Sequence, residues 1–142
     1  MTIKAESILE RGSNILEPRF VRHGFVYKKI GAGPSSGGHY AAGEFRKGTR
    51  RIEFHFRYSL GMVTYHLGAQ SMFHQDYMRS ILGRENASHY PGFSSDPLDG
   101  FHHLLQDLEE HCGEFLSGSD ESFSNRIQDA QAKQSSSPGI PD

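Results

Sequence analysis

The chain has 142 residues, 35% of them hydrophobic and 23% charged, which suits one soluble core and leaves too little length for two ordinary domains. No apolar run approaches the roughly 20 residues of a membrane-spanning helix, and a single cysteine excludes a disulfide framework. The formal charge of −2 hides a split: residues 1–67 carry eleven basic against five acidic side chains, and residues 68–142 four against twelve.

The opening Met1-Thr2-Ile3-Lys4-Ala5-Glu6 lacks the apolar run of a signal peptide, so a cytoplasmic location is expected. Ala5 to His23 reads as helical. Ser7-Ile8-Leu9-Glu10 fits a capping box, and Ile8, Leu16 and Phe20 share a face, while Gly12 and Pro18 predict a kink or two short helices. Gly24 is suited to end the helix in a left-handed conformation, with Phe25 packing back. Phe25–Ile30 predicts a strand. Gly31–Gly38 predicts an irregular glycine-rich loop, one without the Gly-Lys-Ser/Thr ending of a phosphate-binding loop.

From His39 to Leu67 the period is two, and turns at Lys47-Gly48 and Leu60-Gly61 fold this stretch into a meander. Ile52, Phe54, Phe56, Tyr58, Val63, Tyr65 and Leu67 then share the core face, while across the polar face Glu44 meets Arg51, Tyr40 meets His55 and His55 meets His66. Ser71 is placed to cap a helix over Met72–Leu82. Asp96-Pro97 opens a long helix whose stripe is Leu98, Phe101, Leu105, Leu108, Cys112 and Phe115, with Asp107, Glu110 and Glu114 on its acidic side. Glu121–Gln131 predicts a weak helix and Ala132–Asp142 a disordered polar tail. The fold class is α+β: an N-terminal helix, a four-stranded antiparallel meander and two helices on one sheet face, forming a domain over residues 1–118 with 119–142 as weak helix and tail.

Chemistry concentrates on the polar sheet face, where Tyr40, Glu44, Arg46, Arg51, Glu53, His55, Arg57 and His66 gather as a partner-binding surface. His55, His66 and Glu53, with Tyr40 beside them, are the residues that would hold a divalent metal or a small ligand, yet two imidazoles need a third firm ligand. His102-His103 diverge by about 100° on a helix and do not chelate together. Cys112, on the apolar stripe, reads as a core residue. No serine nucleophile elbow, H-E-x-x-H, C-x-x-C or nucleotide motif occurs, so neither an enzyme nor a cofactor is indicated. Lys28, Arg46, Arg51 and Arg57 alternate with aromatics as on RNA-binding platforms, but the aromatics share the buried face and Glu44 and Glu53 interrupt the arginines, which argues against nucleic acid.

Ile15-Leu16-Glu17-Pro18-Arg19-Phe20 to His23-Gly24-Phe25, followed by Arg57-Tyr58-Ser59-Leu60-Gly61 and Tyr65-His66-Leu67-Gly68, resembles small bacterial α+β domains, among them immunity proteins of contact-dependent and secreted toxin systems. That resemblance, over residues 15–68, implies a cytoplasmic inhibitor that binds a toxin through a charged face, and it carries over no catalytic residue. The expected function is therefore a non-enzymatic interaction module, an immunity-type inhibitor or adaptor. The competing expectation is a metal-dependent enzyme or ligand binder at the histidine cluster. The charge split and the long apolar stripe further predict a homodimer in which a basic sheet meets an acidic helix.

Overall fold

Helix α1 runs from Ala5 to Arg22 as one element, with Pro18 inside it. Burial of Ile8, Leu9, Leu16 and Phe20 along one side holds the turn that Pro18 weakens, so the expected break does not occur. Ser7 lies within the helix rather than at its cap. The C-terminus follows expectation: Gly24 has φ 89°, its N–H donates to Val21 O, and the Phe25 N–H donates to Phe20 O, each at 3.0 Å. Phe25 then packs its ring edge on Phe20, 5.3 Å between centroids. The computed structural model describes residues 5–35, 38–56, 60–82, 96 and 98–135.

Five strands follow, β1 (Val26–Ser35), β2 (Gly38–Lys47), β3 (Arg50–Phe56), β4 (Leu60–Leu67) and β5 (Gln70–Phe73), antiparallel in the order β1-β2-β3-β4-β5. Two corrections add strand. Gly31–Ser35 continue β1 past a bulge between Lys29 and Gly31, so most of the predicted glycine-rich loop is paired. Ser71 and Met72 belong to β5, and the helix expected to start at Met72 starts at His74. Gly48-Thr49 and Gly68-Ala69 form the same kind of two-residue turn, each with glycine first at φ 61° and 58°.

Register is the third correction. Lys47 pairs with Arg50, putting Arg46 opposite Arg51, Glu44 opposite Glu53 and Ala42 opposite His55. Between β3 and β4, Phe54 pairs with Val63, Glu53 with Thr64 and Arg51 with His66, followed by an irregularity that brings Phe56 to Leu60. The turn expected at Leu60-Gly61 is therefore inside β4, and His55 and His66 are not cross-strand partners. Tyr58 lies outside the described residues.

The remaining helices are α2 (His74–Leu82), α3 (Asp99–His111), α4 (Gly113–Ser117) and α5 (Asp120–Ser135). The single long helix expected through Phe115 breaks at Cys112. Asp96 Oδ1 accepts the Leu98 N–H at 2.9 Å, while Pro97 lies outside the described residues. All five helices of the described residues lie on one sheet face. Phe20 stacks on Phe45 at 4.4 Å, Phe101 meets Phe54 and Phe56, and Tyr77, Phe115 and Phe123 surround Tyr65. α5 buries Phe123, Ile127 and Ala130 in that same core, so the core closes only with residues beyond 118. The expected tail beyond Ser135 lies outside the described residues.

Arg50 points into this core layer and joins sheet to helices. Its guanidinium donates to Phe115 O at 2.8 Å and Glu114 O at 3.3 Å, and to Asp120 Oδ1 at 2.5 Å. A cation thus sits on the C-terminal carbonyls of α4, where the helix dipole favours it, and pairs with the first acid of α5. Lys47 Nζ adds a bond to Leu116 O at 3.4 Å.

Candidate functional site

With the helices on one side, the opposite face of β1–β5 carries no helix or strand among the described residues. Alternation along the strands brings Arg46, Arg51 and His66 into one row across the sheet and Lys28, Glu44, Glu53 and Thr64 into the next. Like charges therefore sit directly opposite one another, which is unfavourable unless neighbouring rows compensate. They do so by interlocking. Arg46 Nε donates to Glu44 Oε2 at 3.0 Å, Arg51 Nη1 reaches Glu44 Oε1 at 3.3 Å and Glu53 Oε1 at 2.9 Å, and His55 Nε2 lies 2.7 Å from Glu53 Oε2. His66 Nε2 stands 3.2 Å from Glu53 Oε1 without hydrogen-bond alignment.

The result is a polar ladder over three strands, with its acids recessed and the side chains of Arg46 and His55 projecting. The side chains of Glu44 and Glu53 are 8% and 24% exposed, against 54% for Arg46 and 42% for His55. Burial alone would raise the Glu53 carboxyl, but hydrogen bonds from His55 and Arg51 outweigh it and hold the group below its usual value. Burial, reinforced by Arg51, lowers His66 from the ordinary imidazole value. Large apolar side chains border the ladder: Val26 on β1, and Met62 and Phe73 on β4 and β5, are 69%, 55% and 45% exposed.

Of the expected site residues, Glu44, Arg46, Arg51, Glu53, His55 and His66 meet in the ladder. Tyr40 stands on the same face near the far end of β2, opposite Gly33 and half-buried, outside the ladder's bonds. Arg57 lies outside the described residues. Among the described residues no set of three or more His, Cys, Asp or Glu is arranged to hold a metal ion. His55 and His66 approach one carboxylate from two strand positions that are not partners, and Glu53 is already engaged by Arg51.

A second polar group was hidden by the helical pattern. Asp107, read as solvent-facing, is fully buried, and so is His74 at the start of α2. His74 Nε2 is 2.8 Å from Asp107 Oδ2, His74 Nδ1 is 2.7 Å from the Tyr65 hydroxyl, and that oxygen lies 3.7 Å from Cys112 Sγ. Leu104 is fully buried beside them, whereas the predicted Leu105 is only partly covered. Spacing offered a signal here, because Leu104, Asp107 and Leu108 recur at three and four; the charge of Asp107 masked it. His74 also lines a depression of about 340 Å³ with Gly61, Met62, Val63, Phe73 and Gln75. Both its ring nitrogens are engaged, so it offers no free base to that space. Burial pushes the Tyr65 hydroxyl and the Cys112 thiol well above their ordinary values, leaving neither as a nucleophile. The arrangement joins β4, α2 and α3.

No described helix is long and apolar enough to cross a membrane. Comparison with family models, with curated proteins and with solved structures gives no match.

Proposed function

We propose that the chain is a non-enzymatic interaction module that docks a protein partner on the open face of its sheet. One observation carries this reading: the ladder recesses and neutralises its own acids, projects Arg46, and lies between exposed Val26 on one side and Met62 and Phe73 on the other. Folding does not require the projecting Arg46, since an ion pair with an exposed partner adds about 0–1 kcal/mol. Arginine among large apolar side chains is instead the composition from which binding hot spots are built, and complementary charge speeds and orients docking. A partner of different sequence suits the face better than a second copy, which would present the same projecting cations. Inhibition of a toxin, the role implied by the resemblance of residues 15–68, is one form of this reading, and its mark would be a tight complex with an enzyme whose activity it blocks.

The test is affinity capture from source cells with wild type and an Arg46→Glu, Met62→Asp variant, both folded by circular dichroism. Partners held by the wild type should be lost from the variant. Recovery of the same partners in the same salt would place binding elsewhere.

A further inference from the structure

We infer that the partner segment received by this face is acidic, and that it seats at the corner where β1 meets β2. The inference rests on the open face being the docking surface, and adds the chemistry of what docks there.

At that corner Val26, Lys28, Glu44, Arg46 and Gly48 line a depression of about 490 Å³. The acid within it is already engaged, since Glu44 is 8% exposed and bonded by both Arg46 and Arg51. The rim is basic. Lys28 is exposed opposite Glu44, and Arg46, which gives its Nε to Glu44, keeps 54% of its side chain in solvent. Other nearby cations are occupied: Lys29 pairs with Glu6, and Lys47 lies over the Phe25 ring and bonds Leu116 O. Lys28 and Arg46 therefore form the positive rim, and Val26, opposite Arg46 and 69% exposed, gives it an apolar seat. A carboxylate entering here meets the outer nitrogens of a guanidinium whose orientation Glu44 already holds, which lowers the entropy lost on pairing. A neighbouring apolar side chain of the same segment covers Val26.

A nucleic-acid backbone carries the same charge, yet among the described residues no aromatic lines this corner to stack a base. Exposed Val26 beside the cations also finds no apolar counterpart on a phosphate chain. A protein segment with a few carboxylates next to an apolar residue fits both features.

The test presents the purified full chain to a random peptide display library at low salt. Four baits are compared: wild type, Lys28→Glu with Arg46→Glu at the corner, Lys28→Glu alone, and Met62→Asp with Phe73→Asp at the far edge. Lys28→Glu alone repeats the corner test without altering any ladder bond. Peptides rich in Asp and Glu with an apolar neighbour should enrich on wild type. Their enrichment should fall about tenfold or more with either corner variant and in molar salt. Enrichment of neutral or basic peptides that the far-edge variant abolishes would overturn the acidic segment while leaving the docking face standing. No enrichment over bare support, or enrichment that both variants retain, would overturn both. A labelled single-stranded oligonucleotide that competes with the peptides and is lost with the corner variant would replace the protein segment with nucleic acid.

Discussion

Arg51 is the residue on which the open face turns. Glu44 and Glu53 are direct cross-strand partners, and Arg51 Nη1 is bonded to both. Removing it leaves two partly buried carboxylates facing each other, whereas removing Arg46 leaves Glu44 still bonded to Arg51. Arg51→Met should therefore lower stability by about 1–2 kcal/mol and Arg46→Met by well under 1, measured by urea denaturation at neutral pH. The Glu53 shift sets the sign with pH. A carboxyl held below its usual value stabilises the fold above that value, and the contribution fades as pH falls through the folded-state value. The gap between wild type and Arg51→Met should accordingly shrink in acid. The buried pair behaves differently. His74→Ala or Asp107→Ala alone takes a hydrogen bond from a buried polar partner and should cost about 1–3 kcal/mol, while a combined His74→Leu, Asp107→Leu change should recover much of that loss. Additive losses in the double variant would show that the two groups do not act as a pair.

At the scale of elements, the crossing of α1 and α3 depends on Gly12. By helix propensity alone, alanine at this position would stabilise α1 by about 1 kcal/mol. In the fold the Phe101 ring lies against it, and a methyl group there would come within 2.5 Å of three ring carbons. Gly12→Ala should therefore destabilise by about 1–3 kcal/mol despite its better propensity, because the fully buried ring has little room to retreat; a rise in the denaturation midpoint would show that α3 can shift. The same gap between local pattern and packing explains what could be read in advance. Alternation assigned Ile52, Phe54, Val63 and Tyr65 to the core face correctly, since a strand's period reports its faces. It could not set the register. The β2–β3 pairing differs from expectation by two residues and the β3–β4 pairing, as far as the irregularity after Phe54, by four, and an even slip leaves every side chain on its own face, so matching faces passes for either register. Turn chemistry carried the missing information for β5: Gly68-Ala69 repeats the glycine-first pattern of Gly48-Thr49, and the Gly68 N–H donates to Thr49 O at 2.9 Å. The six ladder residues were legible as one polar face, but the expected pairing of His55 with His66 fails, because it depended on the register itself.

For the molecule as a whole, the charge split is met partly within the fold. Arg19 of α1 pairs with Glu109 of α3 at 2.7 Å, and Arg50 of β3 with Asp120 of α5, each joining the basic half to the acidic half. The apolar argument for a homodimer also weakens, since one sheet face does cover the stripes of α1, α3, α4 and α5: Leu16, Phe20, Phe101, Leu104, Phe115 and Phe123 are all fully buried. Geometry restricts what remains. The projecting cations and the helical acids Glu109, Glu110 and Glu121 lie on opposite sides of the sheet, so a contact between basic face and acidic helix uses two different surfaces of each copy. Such a contact is head-to-tail and extends into chains or rings rather than closing as a two-fold pair. The chain should therefore sediment as a monomer at physiological salt, where screening over about 8 Å suppresses the residual attraction. At low salt and high concentration any association should grow in weight continuously with concentration and reverse on adding salt. Sedimentation velocity across both variables reads this directly. A discrete dimer that persists into molar salt would point to an apolar isologous interface, and among the described residues Val26, Ile30, Met62 and Phe73 are the exposed side chains of the sheet from which it would have to be built.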